Sequence, residues 1–427
     1  MTRIFIHCVG SLRSLQNLDA AIPGFDRYPE RALLLAEAGD LVCVGAAVDP
    51  EYLEFLAGLG LGPRAEDVVV VEGVGPLADR LRAAPLPLVQ RLRGTGRDTV
   101  WIEPYAASDA AFALAAALRC ESGAAIRVRS GLPEITAHAD QKHLMRERAE
   151  GLGIPVAEGE VALLAHAGGR RRGDLGAVRD AIERQLGRTG RVIVRGASGA
   201  SGSSTFVVGR GGDDTDGVLR RIALRTDNRC YLVESMVEAT ASPNLMLDIP
   251  ATGGPIGPAE VSDQRWGRTL VHDGNQSPSC ARLIPAMEGW ARMLAAWLRR
   301  EGYAGPVGFD FVEYRDRRTG GPAAFLAEVN PRVNGASYPL AVRRRLAPRS
   351  AFVSGTLRTG AQCFTDVRTT LGSLVFDPER GSGVIPYATG GLTLGRCAVV
   401  ALAGSRLRAA ELYGAARARL EAAWAAA

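Results

Sequence analysis

The sequence predicts an α/β protein in three parts: an N-terminal domain with a parallel sheet, a larger central region and a small C-terminal α/β lobe that closes on it. Three observations lead there. Over the first 125 residues short apolar runs alternate with helical stretches, the pattern of strands joined by crossover helices. A strand–turn–strand hairpin within residues 305–335 gathers acidic and basic side chains on one face. After it come short β-rich runs and a terminal Ala/Arg helix. At 427 residues the chain exceeds one ordinary core, and the pattern divides it at 1–125, 126–345 and 346–427.

Residues 4–9 read as a first strand that stops at Gly10. Further strands are expected at 41–45, 68–71 and 99–102, with helices at 29–38, 51–59 and 108–118. Gly10 opens no GxGxxG, so a bound dinucleotide lacks its fingerprint here. Near Ala137 the pattern changes. Asp140 is placed to cap a helix running from Gln141 to Glu150, ended by Gly151 and Pro155. A strand at 161–165, a solvated loop with Arg170, Arg171 and Arg172, and a helix at 176–186 follow.

Residues 191–195 and 206–208 read as strands on either side of the Gly/Ser run 196–205. Two readings of that run stand. It is a flexible hairpin tip, or a cradle whose small residues let backbone N–H groups approach phosphate oxygens, with Arg195 at its mouth. It is not a P-loop, because no GK[ST] follows. Residues 230–237 form another strand. Residues 250–278, rich in Pro and Gly, read as too irregular for regular elements and carry Gln264, Trp266 and His272 on a long excursion. Residues 285–301 form an amphipathic helix whose Met287, Trp290, Leu294, Trp297 and Leu298 face a core. A helix with Arg343, Arg344 and Arg345 precedes the closing segments 372–376, 383–387 and 397–402.

The hairpin GPVGFDFVEYRDRRTGGPAAFLAEVNPRVNG carries the chemistry. Residues 309–314 and 325–329 are its strands, and Asp316 to Gly321 has turn composition. Antiparallel pairing about Thr319 sets Asp310 opposite Glu328. Side chains alternate faces along a strand, so Glu328, Asn330 and Arg332 share a face with Asp310 while the chain stays extended. A half-exposed strand with solvated charges has the same spacing. The apolar flanks favour burial instead, and buried carboxylates need a partner. Two carboxylates and a carbonyl amide suit Mg²⁺, which takes one or two carboxylates plus substrate phosphates. The adjacent guanidinium can grip a phosphate or carboxylate.

Composition narrows the function classes. With 47% hydrophobic and 23% charged residues the chain is globular, and no apolar run is long enough to cross a bilayer. The 7 cysteines form no CxxC and have no His at zinc spacing, which argues for a reducing cytoplasm and against structural zinc or disulfides. The net charge of +5 is mild and not gathered into a basic face, so nucleic acid is not an expected partner. The 5 histidines fall in no Ser–His–Asp or Cys–His pattern.

From residue 137 to 335 the chain resembles the ATP-grasp superfamily of carboxylate–amine ligases, with GFDF and AEVNPRVNG as the most specific segments. The resemblance implies an N-terminal Rossmann-like pre-ATP-grasp domain, then an ATP-grasp fold with bound ATP and Mg²⁺. Asp310, Glu328 and Asn330 match the magnesium ligands. Arg332 matches the arginine that steadies the transferred phosphate or acyl phosphate. Lys142 and Arg195 match the two phosphate-contacting cations, although the second is usually lysine; Arg keeps the charge but not the point-charge geometry. The loop with Gly199, Ser201, Gly202, Ser203 and Ser204 matches the phosphate lid. Glu234, Ser235 and Met236 match the hinge along the adenine, and Glu238 matches a ribose contact.

Within the superfamily the segments IHCVGS, SDQRW and GSGVIPYATGGL are similar to the pheganomycin-type peptide ligases. That likeness implies activation of a small carboxylic or amino acid as an acyl phosphate and its coupling to the amine of a peptide or amino acid, in natural-product (antibiotic) biosynthesis. It also admits a homodimer. Two alternatives are a ligase that joins free amino acids and a nucleotide-binding scaffold without catalysis. The scaffold would be expected to lack the metal ligands present here.

Overall fold

The computed structural model describes residues 2–9, 25–93, 99–164, 175–199, 204–225, 228–267 and 270–425. The Arg170–Arg172 run and Ser201, Gly202 and Ser203 lie outside the described residues. Strands β1 (Arg3–Ile6), β2 (Leu41–Val44), β3 (Val68–Val70), β4 (Thr99–Pro104) and β5 (Ala125–Val128) form the expected parallel sheet, in the order β3-β2-β1-β4-β5. Helices cover it, so β2 is apolar and buried throughout. The helix Asp109–Ser122 starts where the Ser108 hydroxyl accepts from the Ala111 amide and ends at left-handed Gly123. The helix expected at 29–38 is instead a 3-10 segment, Phe25–Leu34. Pro29 lies inside it, has no N–H to donate and crowds the preceding turn.

A second, antiparallel sheet of β6 (Gly159–Leu163), β7 (Arg191–Gly196), β8 (Thr205–Gly209) and β9 (Cys230–Ser235) runs in the order β6-β9-β7-β8. Val178 and Ile182 of the helix Gly176–Thr189 pack on Val192, Val194 and Val233 of this sheet.

The third sheet holds β10 (Ala239–Ala241), β11 (Pro243–Ile249), β12 (Glu260–Trp266), β13 (His272–Ser277), β14 (Gly305–Arg315), β15 (Pro322–Asn330), β16 (Ala351–Arg358), β17 (Gly383–Tyr387) and β18 (Arg396–Ala403). The long β14 lies against β10, β11 and β15. Its rear face meets the helix Ile284–Arg300, whose buried Met287, Leu294, Trp297 and Leu298 join Phe309 and Phe311 in one core. Each such large apolar side chain contributes about 1.5–3 kcal/mol on burial.

The stretch 250–278 is not the irregular excursion its composition predicts, because it supplies β12 and β13. These strands lack apolar alternation because part of their inward face is polar. Ser262, Asp263, Asn275 and Ser277 are buried there, and Asp263 accepts from the Ser279 hydroxyl and the Cys280 amide. Beyond residue 346 the chain continues the same sheet through β16 to β18, with the helix Arg406–Ala425 packed on it. One core cluster also joins Val42 and Val44 of the first sheet to Tyr338, Leu340, Phe352 and Val400. Among the described residues no helix is long and apolar enough to cross a membrane.

His7, just past β1, is fully buried, with Nδ1 3.1 Å from the Tyr338 hydroxyl and Nε2 without a hydrogen-bond partner. Burial lowers its pKa from 6.5 to about 3. The folded protein therefore keeps the ring neutral, while the unfolded chain protonates it below pH 6.5. Its contribution to stability is complete above pH 6.5 and is lost progressively as pH falls toward 3, by at most about 5 kcal/mol. The urea midpoint of the wild type should fall more steeply between pH 6.5 and 4 than that of His7→Phe; parallel curves would refute this.

Candidate active site

The hairpin register is the one the sequence predicts: Gly308 pairs with Asn330, Phe309 with Val329 and Asp310 with Glu328. Past Asp310 the register shifts, Phe311 faces Leu326, and Ala327 is left as the extra residue of a bulge. Its carbonyl accepts from Arg195 Nη1 at 2.9 Å. Asp310 and Glu328 line one cleft together with Lys142, Arg195, Gly199, Ser204, Glu234, Ser235 and Met236. Of the remaining predicted contacts, Glu238 is exposed and is not among the cleft residues. Apolar wall is supplied by Ile193, Phe311 and Phe325.

Asp310 is held by two amides, Asn244 Nδ2 at 2.6 Å and Asn330 Nδ2 at 2.8 Å. Burial and the neighbouring Glu328 charge push its pKa up to about 6. Glu328 goes the other way. Burial opposes its ionisation, but the charge and hydrogen bond of Lys142, with Arg332 and Arg195 behind them, hold it below the ordinary carboxylate range. Lys142 Nζ lies 2.9 Å from Glu328 Oε1 and 3.1 Å from the Gly199 carbonyl.

The strand ends at Asn330, so Arg332 does not continue an extended face as expected. A turn closed by Arg332 N–H to the Asn330 carbonyl brings it back, and its Nη1 donates to Asn330 Oδ1. Asp140 pairs with Arg332 at 3.3 Å. It is therefore not the helix cap its position predicts: Gln141 is the N-cap of the helix Lys142–Gly151, without a side-chain bond. A buried guanidinium needs a counter-charge more than a helix end needs a cap.

Arg195 and Glu234 also meet differently from their expected separate roles. Arg195 Nε and Nη2 donate to Glu234 Oε2 at 2.9 and 2.6 Å, and Arg146 donates to Glu234 Oε1 at 2.9 Å. The Ser235 and Met236 amides donate to the Glu158 and Arg191 carbonyls. Arg146 escaped the sequence reading, although its place four residues after Lys142 puts both on one helix face. Asn244 gave no signal, since it meets Asp310 only through the pairing of β11 with β14.

Among the described residues no group of three or more His, Cys, Asp or Glu converges on a metal position. The acidic pair with an amide beside it still fits Mg²⁺, which needs only one or two carboxylates when phosphates supply the rest. Two buried atoms without hydrogen bonds, Arg332 Nε and Asn244 Oδ1, mark the same spot as incomplete.

Residues 29–120 match the family described as the Pre ATP-grasp domain. No curated protein sequence matches the chain. Among solved structures, N5-carboxyaminoimidazole ribonucleotide synthetase from Thermus thermophilus is 13% identical, with 97% of each chain covered and a TM-score of 0.53. The Staphylococcus aureus N5-carboxyaminoimidazole synthetase complexed with ADP is 13% identical over 97% of this chain and 96% of its own, TM-score 0.53. Biotin carboxylase from Campylobacter jejuni is 13% identical over 96% of this chain and 88% of its own, TM-score 0.54. The fold is thus a pre-ATP-grasp domain followed by an ATP-grasp fold, as the sequence predicts.

Asp310 holds its proton more tightly when folded than when unfolded, so its effect on stability is most favourable below pH 3.8 and declines as pH rises to about 6. Above that the protein carries the whole cost of the buried charge, about 3 kcal/mol. Asp310→Asn should therefore raise the nucleotide-free melting midpoint at pH 7.5 and leave it nearly unchanged at pH 4. A lower midpoint at pH 7.5 would count against this electrostatic account.

Proposed function

We propose that the protein is an ATP-dependent, ADP-forming ligase that activates a carboxylate as an acyl phosphate and couples it to the amine of a peptide or amino acid. The observation that carries this reading is the Asp310–Glu328 pair, which shares one cleft of an ATP-grasp fold with Lys142 and Arg195 and feels the Arg332 charge from just outside it. A structure of the same fold is recorded with ADP. Asp310, Glu328 and Asn330 would hold Mg²⁺, which when bound offsets negative charge on the ATP phosphates.

The chain's own residues supply the rest. Lys142 and Arg195 are tied to Glu328 and Glu234 in this structure, and exchange these partners for phosphate oxygens when ATP enters. The substrate carboxylate attacks the γ-phosphorus, the bond to ADP breaks, and an acyl phosphate forms. Arg332, with its free Nε, steadies the charge that develops there. The amine then attacks the acyl carbon, and phosphate leaves with the bonding pair as the amide forms. Gly199 and Ser204, and with them Ser201, Gly202 and Ser203, keep water from the intermediate. Ser235 and Met236 flank the base, and Glu238, at the exposed rim between the cleft residues Val237 and Ala239, would have to turn inward to take the ribose. The pheganomycin-type subfamily, a role in antibiotic biosynthesis, the three-part division at 125 and 345, a cytoplasmic location and a homodimer complete the reading.

Incubation with ATP, Mg²⁺, a panel of acids and either amino acids or peptides, read by ADP release and product mass, tests it. Amide formation with peptides supports the peptide-ligase form, and turnover of free amino acids alone supports the dipeptide form. ADP release at background level in both wild type and Asp310→Asn would support a scaffold. Glu328→Gln should lower ligation by about 10²-fold or more and weaken nucleotide binding; ligation at the normal rate removes the metal role. Arg332→Ala should reduce the rate of acyl phosphate formation more than ATP affinity, and the opposite pattern would refute its assignment.

A further inference from the structure

A second cationic centre lies beside the cleft and has no part in the chemistry above. Arg31, in the 3-10 segment Phe25–Leu34, is walled by Tyr28 of the same segment and by tyrosines from three distant parts of the chain. Its Cζ lies 4.2 Å from the ring centre of Tyr28, 5.7 Å from Tyr387 and 6.0 Å from Tyr338. Tyr105 stands edge-on to Tyr28 at 5.5 Å. Aromatic faces attract the cation but accept its N–H groups poorly. Arg31 Nε is buried without a hydrogen-bond partner, and among the described residues no carboxylate lies within ion-pair distance of the guanidinium.

The adjacent acid is already committed. Glu30 Oε1 accepts from the Thr389 amide and hydroxyl at 2.6 and 2.7 Å, and Oε2 accepts from the Gly390 amide at 2.7 Å. Some other sheltered guanidinium groups have carboxylate partners: Arg129 with Glu103, Arg195 with Glu234 and Arg332 with Asp140. Arg80 and Arg343, which have none, donate to backbone carbonyls or a serine hydroxyl, whereas no side-chain hydrogen bond from Arg31 is seen among the described residues. A sheltered guanidinium without one is costly, and its planar fork is the natural receptor for a carboxylate.

The tyrosines around Arg31 connect to the reaction centre on two sides. The Tyr105 carbonyl accepts from the amide of Val333, the residue after Arg332, at 3.1 Å. Trp266, on the cleft wall, stands edge-on to His272 at 6.1 Å, and His272 feels the Arg31 charge. We propose that Arg31, among its tyrosines, grips the free carboxylate of the amine substrate, with the amine directed toward Arg332. The inference rests on the ligase reading and orients one of its substrates. The carboxylate that is activated must reach the ATP phosphates beside Asp310 and Glu328. An anion parked behind Tyr28 and Tyr105 is therefore not the reacting one. The amine partner, a free amino acid or short peptide, keeps its carboxylate throughout the reaction.

The test has a binding arm and a turnover arm. In the first, thermal protection of the nucleotide-free protein is measured with a panel of amino acids and dipeptides, their C-terminal amides, and inorganic phosphate. Wild type should be protected by free carboxylates at least tenfold more potently than by the amides or by phosphate. Arg31→Gln should lose that preference, and Arg31→Lys should keep part of it. Equal protection by acid and amide, equal protection by phosphate, no protection by any carboxylate, or an unchanged preference in Arg31→Gln would overturn the proposal. If Arg31→Gln does not fold, the wild-type comparison and Arg31→Lys decide. In the second arm, amidating the amine substrate should raise its KM and leave the KM of the acid unchanged; if it is the acid's second carboxylate whose amidation matters, the assignment to the amine substrate falls. Carboxylate-selective protection without amide formation from any substrate pair leaves the anion site standing and removes the ligase reading. Amide formation without carboxylate selectivity does the reverse.

Discussion

Two carboxylates placed side by side, Asp310 buried and Glu328 partly so, govern this structure. Asp310 and Glu328 face each other across β14 and β15, and each raises the cost of ionising the other. The surroundings resolve the conflict asymmetrically. Glu328 has Lys142, Arg195 and Arg332 around it and stays ionised, while Asp310 is held mainly by the amides of Asn244 and Asn330 and takes up a proton more readily. An arrangement of this kind is strained in charge.

The scaffold around the pair serves that arrangement. β14 is gripped by β10, β11 and β15 in front of an apolar helix, so its side chains cannot move apart to relieve the repulsion. Gly308 is part of the same constraint: a Cβ there would come within 2.4 Å of the Asn334 amide nitrogen and 2.9 Å of that of Asn244. The bulge at Ala327 breaks the ladder where Arg195 needs an acceptor. The ion pairs Lys142–Glu328 and Arg195–Glu234 hold these two cations in place. The polar strand β12 then closes the cleft with Gln264 and Trp266.

Much of this was legible because it is local. The parallel N-terminal sheet shows in its strand–helix alternation, and the helix Ile284–Arg300 shows its buried stripe. Symmetry about Thr319 sets Asp310 opposite Glu328; the ladder beside the turn, Arg315 with Pro322, would by itself set Asp310 opposite Ala327, and the bulge there brings Glu328 into place. The misreadings were of interactions made at a distance. Asp140 looked like a cap because its partner Arg332 is 192 positions away in the chain. Residues 250–278 looked irregular because buried polar side chains, satisfied by other parts of the chain, hide strand periodicity. Pro29 displaced an amphipathic helix into a 3-10 segment.

By itself the sequence determined the fold class, the acidic hairpin and the cations available to it, since periodicity, turn residues and spacing act over a few neighbouring positions. Tertiary structure alone decided which charges meet. It paired Arg195 with Glu234, brought Asn244 to Asp310 and enclosed Arg31 in tyrosines drawn from positions 28, 105, 338 and 387. The reason is physical. A side chain's charge state and partners depend on burial and on atoms a few ångströms away, and those atoms come from segments that the linear order of residues does not bring together.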